Sequence, residues 1–227
     1  TIRPKEIDTA IHIMYVTPEQ EAELSFIGIV PQKNRYNNNQ LDIGSGNTKG
    51  GYFSREKKFV PVNFSLGTKS FQRLVDAKVQ GNLDVFLKTA EQIIKDSLIK
   101  VMIDELVAKP DFKARDAVYL SGGIVWSIAS LMYPQSAFNN YTELSSSDIT
   151  AFRQKVFSDY EKLTHPDITV IQNAEDAKAT QKNITRVINT YDQKALLAGT
   201  VWLDELVKQI NTINPGKKFI FPKYAYV

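Results

Sequence analysis

Residues 42–48 read Asp42-Ile43-Gly44-Ser45-Gly46-Asn47-Thr48. The short apolar run from Leu41 to Ile43 has the character of a strand, and it leads straight into a turn of small residues. A carboxylate at a strand end followed by such a turn suits phosphate. Without Cβ atoms in the way, backbone N–H groups can approach phosphate oxygens. Asn47 and Thr48 add side-chain donors, and Asp42 is placed to hold Mg²⁺ directly or through water. The same residues also suit an ordinary hairpin turn, where Gly and Asn accept positive φ.

Downstream of the turn, Gly51-Tyr52-Phe53 and the partly alternating run Phe59 to Leu66 read as two further strands. Pro61 marks the latter as an edge or a bulge. With such short links the three strands form an antiparallel meander. A helical region is expected from Ser70 to Ala108, broken near Gly81 and restarted at a cap on Asn82. The strand Ala117–Leu120 then ends in Ser121-Gly122-Gly123, and a helix runs from Ile124 to just before Pro134. Glycines at a strand-to-helix junction admit phosphate or a nucleotide at the helix N-terminus; close packing of helix on sheet requires them equally. Further on come a helix from Asp148 to Leu163 capped by Ser147, a short strand Asp167–Ile171, a helix Gln193–Ile213 and a last strand Lys218–Phe221. A three-strand meander followed by alternating helices and strands gives an α/β fold, a mixed sheet with helices on both faces. That order is the ribonuclease-H-like layout of actin-type ATPases.

Upstream of the turn, Pro31–Gln40 is polar and rich in Asn, a loop or hinge and the best candidate for a domain boundary. Thr17 and Pro18 start a helix that continues through Glu21, Ala22, Leu24 and Phe26 towards Gly28. Its acidic start, Glu19 to Glu23, has a plain reading as a solvated first turn favoured by the helix dipole. Residues 10–16 read as a short strand.

Composition excludes several classes. The 227 residues are 43% hydrophobic and 23% charged, an ordinary globular balance. The net charge of +3 is too small and too scattered to argue for nucleic acid. There is no Cys, hence no disulfide, thiolate zinc site or cysteine nucleophile, and only two His. His12 falls in the first strand and His165 in a loop before Pro166. The most apolar stretch, Ala117 to Tyr133, contains Ser121-Gly122-Gly123 and falls short of the ~20 residues a bilayer requires. The chain opens at Thr1 without Met and without a signal peptide, so residues upstream are expected.

Three of these segments together resemble one family in order and spacing. Glu21-Ala22-x-Leu24-x-Phe26-x-Gly28 is similar to the "EEA-x-L-x-y-x-G" segment of the exopolyphosphatase / guanosine pentaphosphate phosphohydrolase (Ppx/GppA) family, and residues 42–48 to its "DIGGGST" loop. Leu120-Ser121-Gly122-Gly123-Ile124 resembles its "vGGT" turn. Ser65–Phe71 and Ala198-Gly199 support the register. The resemblance covers about residues 13–221. It implies an actin-like fold with residues 1–40 as the end of a first domain and hinge, and 41–227 as the second domain. It implies exopolyphosphatase-like hydrolysis of polyphosphate or guanosine pentaphosphate with Mg²⁺. Glu21 would be the general base, Asp42 a metal ligand, and Gly44, Ser45, Gly46, Asn47, Thr48, Gly122 and Gly123 the phosphate cradle. A phosphate-rich small molecule or polyphosphate would be the partner, with neither nucleic acid nor membrane involved. The cytoplasm is the compartment expected, and a homodimer the assembly to consider. Three departures stand out: Lys49 replaces the family's Glu, a cation in place of a metal ligand; Ile124 replaces its Thr; and no first-domain phosphate loop of the "D-x-G-(S/T)-N" type is found upstream of Asp42 in this sequence. The run Asp42–Lys49 also resembles the "D-I-G-x-G-N-T-K" opening of plasmid-partitioning actin-like proteins. The alternative is therefore a non-hydrolysing actin-like module that binds a ligand or partner.

Overall fold

The computed structural model describes residues 15–135 and 139–223. Its centre is a six-stranded sheet in the order β3-β2-β1-β4-β6-β5. The strands are β1 (Asn38–Ile43), β2 (Thr48–Phe53), β3 (Phe59–Phe64), β4 (Ala117–Ser121), β5 (Tyr141–Leu144) and β6 (Lys218–Pro222). The meander is as the sequence suggests: β2 is antiparallel to β1 and to β3, and β3, which carries Pro61, is the edge. β1, β4 and β6 run parallel to one another, and β5 closes the other edge antiparallel to β6. The register sets Asp42 against Ser121 across β1–β4 and against Lys49 across β1–β2. The exits of β1 and β4, with their glycine-bearing turns, therefore lie side by side.

Helices cover both faces, very unequally. On one face lie α2 (Thr68–Asp76), α3 (Leu83–Ile93), α4 (Ile99–Val107), α6 (Gly123–Met132), α7 (Ser146–Ser158), α9 (Ala174–Thr190) and α10 (Gln193–Ile213). One π-helical turn, Ile94–Leu98, joins α3 to α4. Short helices α5 (Pro110–Ala114) and α8 (Tyr160–Thr164) complete the chain. α10 is the spine of this layer. It is buried from Ala195 to Asp204 without interruption, as befits a helix apolar all round. On the other face lies α1 (Pro18–Ile29), capped by Thr17 in a reciprocal bond with Gln20. Phe26 of α1 meets Phe53 and Phe59 edge-to-face at 5.3 and 5.8 Å, and Tyr119 belongs to the same small cluster.

Several expectations require correction. The Asn-rich run 31–40 is a loop only in part, because Asn38, Asn39 and Gln40 are buried strand residues. Their amides find partners: Asn39 Nδ2 donates to the Phe112 carbonyl and Asn38 Nδ2 to that of Asn34. A polar strand start read from composition alone looks like linker. The helix at 148–163 begins at Ser146, is capped by Ser145 rather than Ser147, and breaks at Asp159. Residues 167–171 form a turn rather than a strand; Asp167 Oδ1 takes the backbone and hydroxyl protons of Thr169, a local alternative to a ladder. Helix α9 and strand β5 were not foreseen. Of the strand expected at 10–16, residues 10–14, with His12, lie outside the described residues, and Tyr15 and Val16 belong to no element.

One polar contact inside the main core ties the hairpin to the spine. Thr48 is fully buried; its Oγ1 donates to the Leu66 carbonyl at 2.9 Å and accepts from Trp202 Nε1 at 2.9 Å. Thr48→Val keeps the shape and removes both bonds, leaving a half-buried carbonyl and a buried indole N–H without them. It is expected to destabilise the fold by about 2–4 kcal/mol, measured by urea unfolding.

Candidate functional site

The site is built where β1 and β4 end. Parallel strands present their carboxyl ends on one edge of the sheet, and ligands of such sheets bind in the crevice outside those ends. Four segments meet there: the end of β1 with its turn, the start of β2, the β4–α6 junction and the first turn of α1.

The turn itself is held from below. The carbonyl of Gly44 accepts from the Thr68 amide, that of Ser45 from the Lys69 and Ser70 amides, and that of Gly46 from Ser70 Oγ at 2.7 Å. These donors are the N-terminus of α2, which would otherwise leave its first amides without partners. Gly67 makes this contact possible, since a Cβ there would run into the Gly44 carbonyl and the Asn47 backbone. The Gly44 amide is bound to the Asn47 carbonyl. Ser45, Gly46 and Asn47 are exposed.

Of the seven residues expected in the phosphate cradle, these three are open to a ligand. Gly44 is half-buried and both its backbone groups are engaged. Thr48 is a correction: its hydroxyl is committed to Leu66 and Trp202 in the core and is not a ligand donor. Gly122 and Gly123 sit beside the turn, and packing accounts for both. Gly122 has φ of +99° and lies where any Cβ would strike the Ile43 carbonyl; a Cβ on Gly123 would strike the Tyr191 hydroxyl. They bring α6 close to the turn, and the α6 N-terminus has no side-chain cap. Its first amides and the positive end of its dipole face the same edge.

Glu21, Asp42 and Lys49 lie on the α1 face of the sheet. Lys49 on β2, directly across from Asp42, forms an ion pair with Glu21 of α1. The Lys49 side chain is 11% exposed and that of Glu21 54%. Asp42 Oδ1 accepts from Ser121 Oγ at 2.9 Å, and that hydroxyl in turn accepts from Gln40 Nε2 at 3.2 Å. Burial pushes the Asp42 carboxyl above the ordinary aspartate range; the Ser121 hydrogen bond and the Lys49 charge work against the rise, and Glu21 adds to it. Gln40 is fully buried, and its Oε1 has no protein partner. Lys69, in the first turn of α2, carries its Nζ 5.3 Å from the centre of the Tyr191 ring.

Glu21, Asp42 and the turn come together at this end of the strands. Gln40, Ser121 and Lys69 were not assigned to the site. Gln40 was legible in principle: it stands two residues before Asp42, so on a strand it shares that face. The contribution of Lys69 depends on where α2 docks.

A divalent metal would meet two carboxylates here and a lysine charge close by. Among the described residues no group of three or more His, Asp or Glu side chains could hold a metal ion. Of these two carboxylates, Glu21 is already paired with the Lys49 ammonium, and Asp42 lies across the ladder from Lys49.

Neither a protein-family model nor a curated protein matches the sequence. Solved structures do match in shape. The Aquifex aeolicus Ppx/GppA phosphatase, type II variant, superposes with a TM-score of 0.55 at 16% identity, covering 91% of this chain and 60% of that one. An exopolyphosphatase from Cytophaga hutchinsonii gives 0.52 at 12% identity, covering 92% and 61%. The chain spans about 60% of the length of these structures. With strands β3-β2-β1-β4-β6 in their observed order and directions, the likeness establishes the fold: this chain adopts the actin-like, ribonuclease-H-like fold of the Ppx/GppA phosphatases.

Proposed function

We propose that the chain carries one wall of a phosphohydrolase site of the Ppx/GppA kind, acting on the terminal phosphate of polyphosphate or guanosine pentaphosphate. The observation that carries this reading is the convergence of Glu21, Asp42, Lys49, the exposed turn Ser45–Asn47 and the uncapped start of α6 at one edge of the sheet. Those segments are far apart in sequence, and the hairpin link alone does not account for three charged side chains on the same face of the sheet. The turn and the α6 N-terminus would bind phosphate oxygens through backbone amides. Lys49 and Lys69 would neutralise them. Glu21, more exposed than its partner, would take the proton from an attacking water while Lys49 holds its carboxylate in place. Positioning and charge stabilisation do most of the work in phosphoryl transfer.

One observation favours a second reading, a non-hydrolysing binding module: the carboxylate assigned as base is already in an ion pair. Two variants separate the readings. A Cβ at Gly46 would meet nothing within 4 Å, so Gly46→Val should leave the unfolding midpoint unchanged while its side chain shields the turn. Its affinity for tripolyphosphate, measured by calorimetry, is expected to fall by about tenfold or more. Unchanged affinity would remove the turn from the site. Glu21→Gln is expected to slow phosphate release from polyphosphate or guanosine pentaphosphate by about 10²–10⁴-fold with binding largely retained. Release that Glu21→Gln leaves unchanged would remove Glu21 as the base and favour the module instead.

A further inference from the structure

We propose that the Lys49 ammonium is the resident cation of this site: paired with Glu21 and across the ladder from Asp42, it serves in place of a divalent metal, and it makes the binding of a phosphate chain independent of Mg²⁺. The second half of this inference rests on the phosphate-site reading above; the first half rests on the Lys49–Glu21 ion pair and the ladder register.

Two carboxylates from different elements, Glu21 on α1 and Asp42 on β1, approach the same space on the α1 face of the sheet. Left to themselves they would repel, and a cation must accompany them. Lys49 supplies it from within the chain. Its Cα is directly across the ladder from that of Asp42, and its Nζ pairs with Glu21. The Lys49 side chain is only 11% exposed, so its charge is withdrawn from water and little screened by salt. A Mg²⁺ ion entering beside it would meet this fixed positive charge at short range. Mg²⁺ also demands near-octahedral oxygen coordination. Here Asp42 Oδ1 is engaged by Ser121, and the third side chain of the cluster is an amine with donors and no acceptor.

The same ammonium suits a phosphate chain. It carries three N–H donors, and Glu21 takes one of them. An anion bound at the turn Ser45–Asn47 would be drawn by this charge, while the more exposed Glu21 carboxylate stays open to water. The phosphate then meets a lysine charge and backbone amides, as in sites that cradle phosphate with a lysine as point charge.

The inference is tested by titrating the folded protein with MgCl₂ alone, and with sodium tripolyphosphate in EDTA and again in excess Mg²⁺. Wild type is expected to bind no Mg²⁺ at millimolar concentration and to bind tripolyphosphate in EDTA. Lys49→Glu places a third carboxylate beside Glu21 and across the ladder from Asp42. It is expected to acquire Mg²⁺ binding, seen as a rise in its unfolding temperature on adding Mg²⁺ that wild type does not show. Lys49→Gln removes the charge and adds none, which keeps the test open if Lys49→Glu does not fold. It is expected to lose tripolyphosphate affinity by about tenfold or more. Mg²⁺ binding by wild type, or tripolyphosphate binding that requires Mg²⁺, would overturn the inference. If wild type binds no tripolyphosphate under either condition, the phosphate-site reading fails. The Mg²⁺ titrations of wild type and Lys49→Glu would still decide whether Lys49 holds the cation's place.

Discussion

The N-terminus of α2 sits directly beneath the turn that follows β1. Three amides and one hydroxyl of Thr68, Lys69 and Ser70 take the carbonyls of Gly44, Ser45 and Gly46. The arrangement solves two problems at once. A helix start has amides with no partner in the helix, and a tight turn has carbonyls with no partner in the sheet. Each satisfies the other, and the pairing fixes the angle at which α2 leaves the meander. The same pairing spends the anion-binding capacity of α2 within the fold. What remains for a ligand is the exposed Ser45–Asn47 segment and the uncapped start of α6. Gly67 permits the approach, and Thr48 locks its far side through Trp202.

The two faces of the sheet divide the labour. One is buried under a thick helical layer around α10, and its odd-numbered β1 residues, Leu41 and Ile43, are fully enclosed. The other is covered by α1, and there the chain keeps its polar row: Gln40, Asp42, Lys49 and Ser121. Buried charges are costly unless paired and hydrogen-bonded. Each charged member of the row has a partner, Lys49 in Glu21 and Asp42 in Ser121. Ionic contacts on the helical face serve structure: Asp204, fully buried on α10, is held by Arg153, Lys208 and the Thr150 hydroxyl. Likewise Arg115 clamps the carbonyls of Tyr36 and Phe53 at the opposite end of the strands.

Much of the fold was legible because the local signals agreed. Pro18 after Thr17, Asn82 before Leu83 and the stripe Leu196, Leu203, Leu206, Ile210 mark helix starts and a buried face that the structure reproduces. The elements that escaped notice lack such agreement. Helix α9 buries only Thr180, Ile184 and Val187, a stripe too thin to stand out among its polar residues. β5 is a four-residue edge strand whose place is set by pairing with β6, a partner far along the chain. The polar start of β1 is strand because Phe112 and Ser121 supply partners for Asn39 and Gln40, and no local rule foretells those contacts.

The sequence by itself determined the meander, the glycine turns, the run of amphipathic helices and the carboxylates at Glu21 and Asp42, since each follows from periodicity or from backbone constraints that act over a few residues. It also placed Lys49 in the chain without saying what Lys49 touches. Only the tertiary structure decided that. The ladder register puts Lys49 across from Asp42, and the docking of α1 on the sheet brings Glu21, 28 residues away, onto its ammonium. The same packing turned Thr48 inward and gave Gly122 and Gly123 a steric reason to be glycine. Register and docking depend on contacts between distant segments, and charge acts through space rather than along the chain.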